Sequence, residues 1–104
     1  MLDDIGNKWS YLVFLALSRR PMRFGEFRIE IEDLSQRALT KTLRSLRRDG
    51  FVARELSPPS FRYRLTELGE SLIGPVKRLE RWAIENKVTI LQNRETFDSK
   101  NDRS

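Results

Sequence analysis

Between Ser35 and Arg48 the chain carries five basic residues (Arg37, Lys41, Arg44, Arg47 and Arg48) and no acid. At about 100° per residue, Arg37, Lys41, Arg44 and Arg48 fall within about 60° of one another, nearly opposite Leu39, Leu43 and Leu46. The segment therefore reads as a helix with one apolar face for a core and one cationic face for a partner. Thr40 stands beside the cationic face, and Gln36 and Arg47 lie nearer the core edge. Arginine and lysine neutralise phosphates, while Gln, Arg and Thr hydrogen-bond base edges in the major groove of a duplex. A merely solvated helix face is the competing reading. Such faces usually mix signs, because Glu-to-Lys pairs four residues apart support a helix, whereas a face of one sign repels itself. The pattern points to nucleic acid.

Other chemistries are poorly served. The 104 residues contain no cysteine and no histidine, which removes disulfides, Cys or His zinc ligation and any Ser-His or Cys-His nucleophile. The usual general base is missing as well, so no catalytic residue, metal or cofactor is expected, and an enzyme is disfavoured. Glu26, Glu30, Glu32 and Asp33 cluster without other ligand types and read as surface charge. No apolar run approaches the roughly 18 residues of a membrane span, and the N-terminus is acidic where a secretory signal is basic. A soluble, cytoplasmic chain is the expectation.

Charge is concentrated in the middle of the chain. The whole carries a net +5, whereas Arg19 to Arg64 alone carries +6. A polyanionic partner is implied.

The elements that must position the cationic face follow from periodicity. Ile5, Trp9, Leu12, Val13 and Ala16 predict a helix from about Asp4 to Ser18, ended by Arg19-Arg20-Pro21. Phe24, Phe27 and Ile31 predict a short second helix over about 24–31. After Glu32-Asp33-Leu34, Ser35 supplies an N-cap oxygen for the third helix, while Ala38 holds the place of the Glu or Gln of a full capping box. That helix runs to Asp49 and stops at Gly50. Val52 to Leu56 reads as a weak strand, and Phe61, Tyr63 and Leu65 alternate with Arg62 and Arg64 as a stronger one. Ser57-Pro58-Pro59-Ser60 turns the chain between them. Phe27 and Leu56 are core candidates.

Thr66 caps a last helix with a stripe of Leu68, Leu72, Val76, Leu79, Ala83 and Ile90, interrupted at Gly74-Pro75. From about Asn93 to Ser104 the chain is polar and predicts a frayed or flexible tail. Three helices followed by a hairpin is the order of a winged helix-turn-helix. The fold class is thus α+β, mostly helical, with residues 1–92 as the folded domain and 93–104 as the tail.

Five segments, in order, resemble one family. They are Ile5-Gly-Asn-Lys-Trp9, Arg23-Phe-Gly-Glu-Phe27, Leu34-Ser-Gln-Arg-Ala-Leu-Thr-Lys-Thr-Leu-Arg-Ser-Leu46, Asp49-Gly-Phe-Val52 and Tyr63-Arg-Leu-Thr-Glu-Leu-Gly69. Together they are similar to the HxlR family of bacterial transcription regulators over roughly Leu2 to Asn86. The resemblance implies a dimeric winged helix-turn-helix, most often a repressor, with its third helix in the major groove and its terminal helices forming the dimer. Many members carry a sensing cysteine just before the first helix. This chain begins after that point and has none, so thiol sensing is not expected. The family wing often reads Pro-Pro-Arg-Val-Glu-Tyr. Here Ser60 stands for the Arg and Arg62 for the Glu, after a connection about three residues shorter.

The expected site follows. Ser35, Gln36, Arg37, Thr40 and Lys41 face bases, Arg23, Arg44 and Arg48 face phosphates, and Arg62 and Arg64 serve the wing. One recognition helix reads too few base pairs to select a genomic site, and Trp82 and Ile84 lie outside the last helix's stripe as surplus apolar surface. A homodimer through Trp9, Leu79, Trp82 and Ala83, binding an inverted repeat of double-stranded DNA, is therefore expected. Trp9 and Phe14 are read as core or dimer packing ahead of an effector pocket, and no small-molecule effector is named by the sequence. A winged helix that binds an acidic protein instead of DNA is the alternative.

Overall fold

A computed structural model describes residues 7–101. Asn7 Oδ1 accepts the Trp9 N–H at 2.9 Å and caps the first helix, α1 (Lys8–Arg19). The sequence reading starts this helix at Asp4; that residue and Ile5 lie outside the described residues. The buried face of α1 is Ser10, Val13, Phe14, Ala16 and Leu17. Trp9 and Leu12, expected on it, are only half-buried. The helix packs against both α3 (Gln36–Arg48) and β3 (Ser60–Leu65), and this pair of supports turns its inner face toward Phe14 and Leu17.

Pro21 ends the run after α1, and a two-residue strand, β1 (Met22–Arg23), follows. Two residues are too few for periodicity to reveal, and β1 is absent from the sequence reading. It pairs antiparallel with β3, Met22 opposite Tyr63 and Arg23 opposite Arg62. The sheet order is β1-β3-β2, with β2 (Val52–Ser57) on the far side of β3.

Helix α2 (Phe24–Glu30) is joined to α3 by a turn with Ile31 and Leu34 buried. Asp33 takes φ 66°, a left-handed conformation that Asp tolerates better than most side chains. Arg28 Nε donates to the Leu34 carbonyl at 3.3 Å across the same turn. Ser35 Oγ then accepts the Ala38 N–H at 3.0 Å, the N-cap that the sequence predicts.

Helix α3 ends in a Schellman motif. The Phe51 N–H reaches the Leu46 carbonyl at 3.0 Å, and the Gly50 N–H reaches that of Arg47 at 3.1 Å. Gly50 has φ 84°, which a side chain resists. The chain leaves α3 straight into Phe51 and Val52, both buried. Gly69 completes this corner: a Cβ there would collide with the Phe51 carbonyl oxygen and with Leu65.

Within the unit that ends at Ile73, the core gathers Val13, Met22, Phe27, Leu39, Leu43 and Leu46 as its most deeply buried large side chains. The Phe27 and Tyr63 rings meet edge-on with centroids 6.1 Å apart. Leu56, the other core candidate, is 73% exposed. Hairpin pairing explains the error. Val52–Leu65, Arg54–Tyr63 and Leu56–Phe61 are successive opposed pairs on one sheet face. Only the pairs near the base reach the helices, and the third lies near the wing tip.

The last helical stretch is divided. Thr66 Oγ1 accepts the Gly69 N–H and caps α4 (Glu67–Ser71), and α5 (Ile73–Asn101) follows. The break falls at Leu72, not at Gly74-Pro75. Pro75 sits in the first turn of α5, where a missing N–H costs no helical hydrogen bond. The sequence reading ends this helix near Gln92; it runs on to Asn101. Past Pro75 there is no further Pro or Gly to stop it, and Arg94 with Asp98 has the i, i+4 spacing that supports a helix. Residues 102–104 lie outside the described residues.

Leu43 is the middle of the three leucines under α3 and is 2% exposed. Leu43→Ala is expected to cost about 2–5 kcal/mol, a large share of a typical domain's roughly 5–15 kcal/mol. A thermal or urea melt measures it; an unchanged melting temperature would remove Leu43 from the core.

Candidate nucleic-acid interface

The outer face of α3 is built from one polarity. Gln36, Arg37, Thr40, Lys41, Arg44, Ser45 and Arg48 line a continuous surface along it. Gln36, Arg37, Thr40, Lys41, Arg44 and Arg48 are exposed, and Ser45 is partly covered. Among the described residues none of the helix's five cations joins an ion pair. Two acids of α2 are used elsewhere: Arg19 and Arg20 pair with Glu26 and Glu30 at 2.9–3.1 Å, tying α1 to α2. No group of acids able to hold a metal occurs among the described residues.

Glu26 also accepts the Arg23 backbone N–H at 2.7 Å. That hydrogen bond first, then the Arg20 guanidinium, holds its carboxyl below the usual carboxylate range. The stabilisation is therefore fully present above the ordinary carboxylate pKa and is lost as pH falls through the lowered one. At neutral pH the entry to α2 is fastened.

The wing is fastened from the other side. Arg23 Nη1 donates to the Ser57 carbonyl at 2.8 Å and to Ser60 Oγ at 3.0 Å, and Nη2 donates to Ser57 Oγ at 2.9 Å. Arg23, expected as a phosphate contact, directs its guanidinium at the turn that joins β2 to β3. It positions the wing. The Pro58–Pro59 peptide in that turn is cis.

Of the two wing cations named from sequence, Arg64 is held by Glu55 on β2 and by the Leu65 carbonyl. Arg62 is exposed and forms no ion pair among the described residues. Both lie on the sheet face opposite Phe61 and Tyr63. Arg54 projects on the Phe61 side, its guanidinium carbon 4.3 Å from that ring's centroid.

The residues expected to face bases come together on one helix face, with Ser35 at its cap, and Arg44 and Arg48 extend that face. Of the residues expected at a dimer interface, Trp9 belongs to the unit that ends at Ile73 and Leu79, Trp82 and Ala83 to the one that begins at Gly74. Trp9 is half-buried on α1, with Lys8 Nζ 5.1 Å from its ring, and the other three are exposed on α5. Arg47 and Arg54, outside the site expected from sequence, line one cleft with Arg44 and Arg48. The leucine phase puts Arg47 beside the core, although it is exposed, and Arg54 gains meaning only once the hairpin register is known.

The HxlR-like helix-turn-helix family model matches residues 4–90. The chain belongs to this family. Among HxlR-like proteins it is similar to the HTH-type transcriptional regulator YybR of Bacillus subtilis, 39% identical over 89 residues that cover 83% of this chain and 71% of YybR. It is also 32% identical to YtfH of Escherichia coli, over 91% of this chain and 78% of YtfH. The solved structure of the redox regulator HypR in its reduced form superposes with a TM-score of 0.77 at 37% identity, covering 88% of this chain and 93% of HypR. A MarR-family regulator from Enterococcus faecalis gives a TM-score of 0.74 at 31% identity, over 99% and 86%. This HxlR-like chain is accordingly a transcriptional regulator with a helix-turn-helix fold, and its relatives are regulators, not enzymes.

The Arg23 clamp is testable without DNA. Arg23→Gln removes hydrogen bonds worth about 1 kcal/mol each and is expected to speed amide exchange at Ser57 and Ser60 about tenfold or more. Exchange at Leu43 and Leu46 should stay as in the parent. Wing amides that exchange at the parent rate would show that Arg23 does not hold the turn.

Proposed function

We propose that this regulator binds duplex DNA sequence-specifically, as a homodimer on an inverted-repeat operator, and acts as a repressor. The unpaired cationic face of α3, capped by Ser35 and seated on Leu39, Leu43 and Leu46, carries this reading. Such a helix enters the major groove with its N-terminal residues toward the bases. Ser35, Gln36, Arg37, Thr40 and Lys41 then meet base edges, and Arg44 and Arg48 meet phosphates. Arg62 and Arg64 face the flanking minor groove, Arg64 on exchanging Glu55 for DNA.

The dimer reading rests on α5, a helix of 29 residues, about 44 Å long at 1.5 Å per residue. Trp82 is 55% exposed, and Leu79, Ile84, Val88 and Leu91 are exposed on other parts of the same helix's circumference. Apolar surface on this scale supports pairing with a second copy. Two recognition helices about 34–36 Å apart would read successive turns of one duplex face. An effector would act by altering that spacing. YodB has been solved with quinone bound; the 104 residues here offer no cysteine to an electrophile.

Selection from random duplex DNA tests the whole reading, and an inverted repeat is the expected product. Arg37→Ala and Lys41→Ala should each lose about 1–3 kcal/mol of preference for the selected site while keeping the parent's melting temperature. Binding as tight as the parent's by both variants would overturn the assignment of α3. An acidic protein partner would bind the same face without the steep salt dependence of counterion release.

Trp82→Glu is expected to give monomers in sedimentation and weak operator binding. A parent chain that sediments at its own mass at micromolar concentration would overturn the dimer.

A further inference from the structure

A second basic surface lies beside the recognition face, and its cations come from two elements, α3 and β2. A cleft of about 580 Å³ opens between α3 and the wing, with Leu43 and Val52 among its walls. Thr40, Arg44, Arg47 and Arg48 line it from α3, and Arg54 and Tyr63 line it from the hairpin. We propose that this cleft seats one backbone phosphodiester of the bound duplex, at the step where the strand passes from the groove read by α3 toward the wing. The proposal rests on the duplex-binding reading and adds Arg47 and Arg54 to it.

Charge is the first reason. Four guanidinium groups line the cleft and no carboxylate does. Arg44, Arg47, Arg48 and Arg54 form no ion pair among the described residues. Glu55, the neighbour of Arg54, projects to the opposite side of its strand and is taken by Arg64. Guanidinium groups converging without an anion repel one another, and an oxyanion relieves all of them at once.

Geometry is the second. Arg54 stands over the Phe61 ring, a contact that uses its charge and consumes no N–H donor. Its fork is oriented and still open to a bidentate oxyanion. Arg47 leaves α3 on the wing side of the four-cation face, close to Thr40 in helical phase, so the two can serve one ligand. The volume falls within the roughly 300–1,000 Å³ of sites that hold drug-sized molecules, which leaves room for a phosphate with its flanking sugars.

Base identity is not read here. The walls offer positive charge and few acceptors, so the seat contributes affinity and register, while sequence choice stays with the N-terminal half of α3.

The test compares Arg47→Gln, Arg54→Gln and the double variant with the parent, on the selected duplex and on a random one, between about 50 and 200 mM salt. Each substitution should lower the slope of log affinity against log salt by about one unit, and the double variant by about two. Its deficit should then be about tenfold larger at the low-salt end than at the high-salt end, and equal on both duplexes. In parallel, methylphosphonates are placed one at a time along the selected duplex. One position per half-site should weaken the parent and leave the double variant indifferent.

A parent-like slope in the double variant, or no such position, overturns the seat and leaves duplex binding standing. A loss confined to the selected duplex overturns it too, since it would make these arginines base readers. A parent that binds no duplex at all overturns both readings. Inorganic phosphate is the remaining control: half-saturation at micromolar concentration, abolished in the double variant, would assign the cleft to a free anion and overturn the backbone seat.

Discussion

The seating of three leucines governs what the rest of this molecule can do. Helix α3 carries five cations and no acid between its cap and its last residue. It forgoes the i, i+4 ion pairs that help an isolated helix, and its outer face opposes its own folding. Leu39, Leu43 and Leu46, buried in the core of the unit that ends at Ile73, offset that repulsion. The Ser35 cap and the Schellman corner at Gly50 satisfy its ends. A helix anchored this way keeps its charges unneutralised, and unneutralised charge is what a polyanion requires.

The same economy of acids runs through the neighbouring elements. Glu26 and Glu30 are spent on Arg19 and Arg20, and Glu55 is spent on Arg64. Each pairing lies away from the α3 face. Surface ion pairs of this kind add little stability, so their placement matters more than their number. Carboxylates are kept off the surface that would meet phosphate, and one wing face keeps Arg62 unpaired among the described residues while the other presents Arg54.

Arg23 shows how one side chain can join two distant parts of the chain. It ends a two-residue strand and caps α2, and its side chain reaches Ser57 and Ser60 across more than thirty residues of sequence. The wing is thereby tied to the start of the helix-turn-helix, at the end opposite its junction with α3. A hairpin held at both ends carries its cations in fixed register with the recognition helix. Helix α5 is the contrast: none of its described side chains is buried, and Leu79, Trp82, Ile84, Val88 and Leu91 await cover.

Much of this was written in local pattern. Helical periodicity marked the leucine and cation faces of α3, and Ser35, Gly50 and Thr66 marked element ends, because caps and turns are chosen by one or two residues at fixed offsets. Alternation marked β3. The five motifs marked the family. Tertiary structure decided what local pattern cannot contain. β1 exists only because β3 offers it a partner, and Leu56 is exposed because its hairpin position carries it past the helices. Trp9 and Leu12 turned half outward because α1 answers to two neighbours. Arg23 and Arg64 lost their freedom to partners distant in sequence or across a strand. Arg47 and Arg54 gained a shared cleft, because which charges remain unpaired is settled only when every charge has a place.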